Sequence, residues 1–124
     1  LAISLACERI TKEEMERLEE IEAHFQTLIE SDNLTELAEV DVEFHDTIYQ
    51  ATNNKRLVQL LNNLREQMYR YRMEYLKDIA VRRTLAEEHK SICEALRARD
   101  EKKALDYVQL HIDNQQKAII RSLN

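Results

Sequence analysis

Four side chains in this sequence have the types and spacing of a metal-ligand set. Asp41 and His45 are four residues apart, which on a helix places them one above the other on one face, close enough to share an ion. Leu37, Phe44 and Ile48 bound that face, so it points inward. His89 and His111 stand eleven residues on either side of Asp100, which reads as the turn between the last two helices. In an antiparallel hairpin both lie about 16 Å from the bend, at one level and facing each other.

Three inward histidines and an inward aspartate leave several buried polar groups in a helical core that offers few backbone partners. Each costs about 1–3 kcal/mol if unsatisfied, and one divalent metal satisfies all four. Imidazole nitrogens with a single carboxylate suit borderline ions, zinc first, with nickel, iron, copper or manganese as alternatives, whereas calcium wants mostly oxygens. Four protein ligands leave coordination positions open. His24 shares a boundary face with Ile21 and Leu28 and is given no role.

The elements that must position these residues are helices. The 124 residues contain no glycine and no proline, and hairpins, bulged sheets and phosphate-cradling loops nearly all use one or both. Length allows one domain with a real core. Caps and apolar periods predict six helices. The first ends near Ile10. The second starts from a capping box, Thr11-Lys12-Glu13-Glu14, carries Met15, Leu18, Ile21, Phe25, Leu28 and Ile29, and stops at Ser31-Asp32-Asn33. The third is capped by Asn33 and runs to about Ala51, where Thr52-Asn53-Asn54 breaks it with an asparagine in the left-handed region. A long fourth helix carries Leu57, Leu60, Leu61, Leu64, Met68, Tyr71 and Tyr75 to Lys77-Asp78, with a loop to Arg83. The fifth holds Leu85, His89, Ile92, Cys93 and Leu96. Asp100 caps the sixth, whose stripe is Ala104, Val108, His111, Ile112, Gln115 and Ile119.

The net charge of -6 and the interspersed signs describe a soluble surface without a basic stripe, so this segment alone is not expected to bind DNA. No apolar run approaches the roughly 20 residues that span a bilayer and no secretory leader opens the chain, so a cytoplasmic location is expected. Cys7 and Cys93 sit on apolar stripes and are expected to be free, buried thiols. The chain opens at Leu1 inside what already reads as a helix, so a segment upstream is expected.

Several stretches resemble FCD domains, the effector-sensing part of GntR-superfamily regulators of the FadR subfamily: Asp41-x-x-Phe44-His45, Ala51-Thr52-Asn53-Asn54-Lys55-Arg56-Leu57, Glu88-His89-x-x-Ile92, Ala95-Leu96-x-x-Arg99-Asp100, and Ala104 leading to His111. The similarity covers essentially the whole chain in order, and Asp41, His45, His89 and His111 match the family's metal signature. Asn53 and Lys55 stand where the family often has glycine and proline. The resemblance implies an all-α antiparallel bundle of six or seven helices with a central cavity for metal and ligand. Residues 1–124 would then form one effector-binding domain, with the N-terminal winged helix-turn-helix absent from this chain. It further implies a small carboxylate metabolite as effector, a homodimer, and DNA contact only through the missing domain. For the effector's charge a buried guanidinium is the natural partner. Arg65, level with Asp41 across the turn between the third and fourth helices, and Arg72, two turns beyond, are the candidates.

Two other readings compete. Helical bundles also carry di-iron carboxylate enzymes built from Glu-x-x-His motifs, but the residues three before the histidines here are Ile21, Val42, Ala86 and Val108, and a single aspartate cannot bridge two metals as four carboxylates do. No catalytic residue is assigned. A metal-free structural or dimerisation module, its four polar residues paired among themselves, is the second rival.

Overall fold

A computed structural model describes residues 2–31, 33–63 and 65–123, without the side chains of residues 2, 61, 65–68, 112, 115, 116 and 118–123. Seven helices are seen among the described residues: α1 (Ala2–Arg9), α2 (Lys12–Thr27), α3 (Leu34–Ala51), α4 (Lys55–Asn62), α5 (Arg65–Tyr75), α6 (Ile79–Arg97) and α7 (Glu101–Leu123). They form a helical bundle in which α2 packs on α3 and α6, α6 on α7, α1 on α3 and α7, and α5 on α3 and α7.

The local signals account for most boundaries. Thr11 and Glu14 form a reciprocal capping box, with Glu14 N donating to Thr11 Oγ1 at 3.1 Å and Thr11 N to Glu14 Oε1 at 3.0 Å. Asn33 Oδ1 accepts from Glu36 N at 3.1 Å, and Asp100 Oδ1 from Lys103 N at 3.1 Å, each satisfying an amide that a helix start leaves without a partner. Asn53, with φ 51°, makes the left-handed turn after α3. The second helix ends at Thr27, before the expected stop at residues 31–33, and Leu28 and Ile29 pack on the core from the turns beyond it.

Arg99 takes the left-handed region as well, with φ 54°, at the end of α6. Asp100 N reaches Ala95 O and Arg99 N reaches Leu96 O, both at 3.0 Å, a Schellman closure in which glycine is the usual residue. Its side chain offsets the backbone cost, because the guanidinium donates to Cys7 O, Glu8 O and Ile10 O at 3.0, 3.2 and 2.7 Å. The α6–α7 turn therefore holds the C-terminal end of α1.

Three expectations are corrected. The long fourth helix is two helices, α4 and α5. Asn62 and Asn63 stand at the break, and adjacent asparagines have low helix propensity because their side chains compete for the backbone. Leu60 and Tyr71, expected on the apolar stripe, are exposed, while Leu61, Leu64 and Met68 lie outside the described side chains. Residues 79–83, expected as loop, are the first turns of α6. Asp78 Oδ1 accepts from Ala80 N at 2.9 Å and starts the helix. The buried Arg82 then fastens it, its Nε on Leu76 O at 2.6 Å and its Nη1 on Ile29 O at 2.8 Å.

Leu18, Phe25, Leu37, Phe44, Leu76, Leu85, Ile92 and Leu96 are fully buried at the centre of the core. Cys7 and Cys93 are buried free thiols, and burial pushes both above the ordinary thiol range. No helix among the described residues is long and apolar enough to cross a membrane.

Candidate metal centre

Helix α3 presents Asp41 and His45, α6 presents His89, and α7 presents His111. His45 Nε2 lies 3.4 Å from Asp41 Oδ1, and His89 Nε2 lies 3.0 Å from the same oxygen. His111 Nε2 is 3.4 Å from His45 Nε2, and one ring nitrogen from each of His45, His89 and His111 falls within 4.8 Å of the others. Asp41, His89 and His111 are buried, while the side chain of His45 keeps 13% of its surface. His45 therefore marks the side from which solvent reaches the cluster.

The rings are held by packing. His89 stacks on Phe44, centroids 4.1 Å apart, and meets Phe25 edge-on at 5.1 Å, so α2 and α3 clamp it from two sides. His45 stacks on His111 at 5.2 Å. On the far side of Asp41, Arg72 Nε donates to Oδ2 at 2.7 Å and Tyr75 Oη donates to the same oxygen at 3.2 Å. Oδ2 is thus tied to α5, and Oδ1 faces the histidines.

Although Asp41 Oδ1 and His89 Nε2 are only 3.0 Å apart, they do not meet at hydrogen-bond angles. Both, together with His89 Nδ1, are buried without a hydrogen-bond partner among the described residues. Unsatisfied buried polar atoms are rare because each carries its full desolvation cost. A cation between Asp41 Oδ1 and His89 Nε2 removes that cost for these two atoms, and three imidazole nitrogens with one carboxylate oxygen are a suitable donor set for a borderline divalent ion. The residues fit such an ion.

The sequence profile of the FCD domain family matches residues 1–114. The chain belongs to the FCD domain family. No curated protein matches it. Membership is consistent with the C-terminal effector-binding domain of GntR-family regulators, a family that is usually non-enzymatic.

In this FCD domain the charges around the cluster are set by burial and by one another. Burial pushes the Asp41 carboxyl up, but His45, His89 and Arg72 outweigh it and hold the group well below the usual carboxylate range. Burial pushes His45 down to about 4 despite the neighbouring Asp41, so its ring is neutral at pH 7. Arg72 is pushed down by burial and up by Asp41, Tyr75 and Tyr49, with a net rise that keeps it charged. Near neutral pH the FCD domain therefore presents an anionic carboxylate and a neutral His45, the protonation states that ligation needs.

The structure brings together Asp41, His45, His89 and His111 as expected from spacing. It also places Arg72 at the cluster, bonded to Asp41. The side chain of Arg65 lies outside the described residues. His24 is exposed and pairs with Glu36 at 3.3 Å, away from the cluster. A pocket of about 190 Å³ lined by Ile10, Thr11, Met15, Leu96 and Arg99 shares none of the cluster's side chains. Two residues were missed. Tyr75 counted only as part of an apolar stripe, and its hydroxyl serves Asp41. Glu88 counted only as part of a motif, yet it is buried with Oε1 3.2 Å from His111 Nδ1. An acidic residue next to an inward histidine, on a helix facing a second one, was the available signal.

Proposed function

We propose that this FCD domain, residues 1–124 acting as one unit, senses a small carboxylate metabolite through one divalent transition metal held by Asp41, His45, His89 and His111. Zinc is the first choice. The observation that carries this reading is the pair of buried, unpartnered atoms Asp41 Oδ1 and His89 Nε2, 3.0 Å apart inside a three-histidine cluster. The metal-free structural alternative has to pair them through this contact and through the 3.4 Å contact of His45 Nε2 with the same oxygen. A bound ion supplies a Lewis-acidic centre with positions left over for exogenous oxygen ligands.

The chain's own residues do the rest. Arg72 and Tyr75 fix the Asp41 carboxylate through Oδ2. The guanidinium of Arg72 makes no other hydrogen bond among the described residues, so its terminal nitrogens are the place for an effector carboxylate, with Arg65 as the second candidate. His45, partly exposed, lies on the entry side. Helix α1 packs on α3 and α7, which carry three of the four proposed ligands. A ligand that draws those helices together thus acts on the helix nearest the N-terminal side, where a winged-helix DNA-binding domain of a GntR-type regulator, of the FadR subfamily by its motifs, would be attached. The effector shifts the regulator only by its different affinity for two arrangements.

A homodimer is part of the proposal, because paired winged helices read two-fold operators. Leu60, Tyr71, Leu105 and Leu110 expose apolar surface available to a second copy.

The test is a thermal-shift panel of hydroxy- and keto-acids on metal-loaded and metal-stripped protein. A ligand specific to the loaded fold at a hundredfold its Kd adds about 2.7 kcal/mol. Equal shifts with and without metal would sink the coupled site.

A further inference from the structure

We propose that Glu88 is a positioning residue that holds His111 as its Nδ1–H tautomer and thereby keeps the Nε2 lone pair of His111 turned into the histidine cluster. The inference rests on the metal-site reading above and deepens it. His111 Nδ1 lies 3.2 Å from Glu88 Oε1, while Nε2 of the same ring lies 3.4 Å from His45 Nε2. A neutral imidazole has one N–H and one lone pair, and a carboxylate can only accept. Facing Glu88 therefore makes Nδ1 the donor and leaves Nε2 as the lone pair.

The arrangement is built rather than incidental. Glu88 and His111 are both buried, and Asn114, one turn beyond His111 on α7, donates Nδ2 to the other oxygen, Glu88 Oε2, at 3.3 Å. Both carboxylate oxygens are thus occupied and the carboxylate plane is set from α7. His89 is oriented differently. Its Nδ1 has no hydrogen-bond partner among the described residues, and Phe44 and Phe25 hold the ring by packing. A carboxylate behind a ligating imidazole raises its basicity as well as fixing its orientation, and loss of such a group typically weakens metal binding about 10- to 100-fold.

The experiment reads ring tautomers by long-range proton–nitrogen NMR on the metal-free chain and zinc affinity by competition titration, in wild type, Glu88→Gln and Glu88→Ala. Wild type is expected to show His111 as Nδ1–H. Glu88→Ala is expected to lose that preference and to bind zinc about 10- to 100-fold more weakly, with the His89 ring signals unmoved. In Glu88→Gln the amide carbonyl can still accept, with Asn114 turned over to match, so the Nδ1–H form and part of the affinity are expected to survive. His111 found as Nε2–H in wild type, or a folded Glu88→Ala chain with wild-type tautomer and zinc affinity, overturns the proposal. If Glu88→Ala does not fold, wild type and Glu88→Gln decide it by the same tautomer. A wild-type chain that binds no zinc defeats the metal-site reading instead, while the His111 tautomer still tells whether Glu88 sets the ring.

Discussion

Arg72 Nε lies 2.7 Å from Asp41 Oδ2, a buried ion pair between α5 and α3. It leaves the other oxygen of Asp41, buried as well, facing two histidines. Together with His45 and His89, the pair keeps a carboxylate in the middle of a helical core ionised against the cost of burial, and it makes Asp41 depend on a residue 31 positions away.

Removing one partner of a buried pair strands the other charge. Arg72→Ala is therefore expected to destabilise the metal-free domain by about 3–5 kcal/mol, read from urea midpoints. Tyr75→Phe, which deletes the hydroxyl's hydrogen bond to the same charged oxygen, is expected to cost about 2 kcal/mol. An Arg72→Ala midpoint unchanged from wild type would mean that Asp41 does not need its partner.

Acid should weaken the metal-free fold through His45, whose pKa falls from 6.5 to about 4 because burial disfavours the charged ring. Above about pH 6.5 neither folded nor unfolded chain protonates it, and nothing is lost. As pH falls below that, the unfolded chain takes up the proton first, so stability declines until about pH 4, by at most about 1.4 kcal/mol per pH unit. Asp41, held below the usual carboxylate range, adds a loss of the same sign under more acid conditions. Urea unfolding of metal-free wild type and His45→Gln across this window checks the sign. Equal slopes in the two proteins would contradict it.

Much of this cluster was legible because helices convert spacing into direction. Asp41 and His45 share a face by period alone, and Asp100 as a hairpin turn puts His89 opposite His111. The roles of Glu88 and Tyr75 depend on how α6 and α5 rotate about their own axes, which apolar stripes constrain only loosely. The break between α4 and α5 was hidden because Leu57, Leu60, Leu61 and Leu64 keep an unbroken helical period across Asn62 and Asn63. Asp78 reads from sequence as the end of one helix and in the structure caps the start of the next, since an aspartate suits both places.

Arg99 is expected to secure α1. It holds three carbonyls at that helix's C-terminal end from a left-handed backbone, so Arg99→Ala removes the clamp and keeps the strain, at an expected cost of about 2 kcal/mol. Hydrogen exchange should accelerate in residues 3–10 while the α3 and α6 core stays protected. Uniform acceleration across all helices would show that Arg99 supports the whole bundle instead.

The most direct test of the metal centre is the metal content of the protein purified without chelators, beside His89→Ala and His111→Ala prepared in the same way. Close to one divalent transition metal per wild-type chain is expected, with loss of the ion in both variants, because each histidine supplies a bond that no neighbour replaces. Full occupancy in the His89→Ala chain, whose wild-type nitrogen lies 3.0 Å from Asp41 Oδ1, would contradict the assignment of the site.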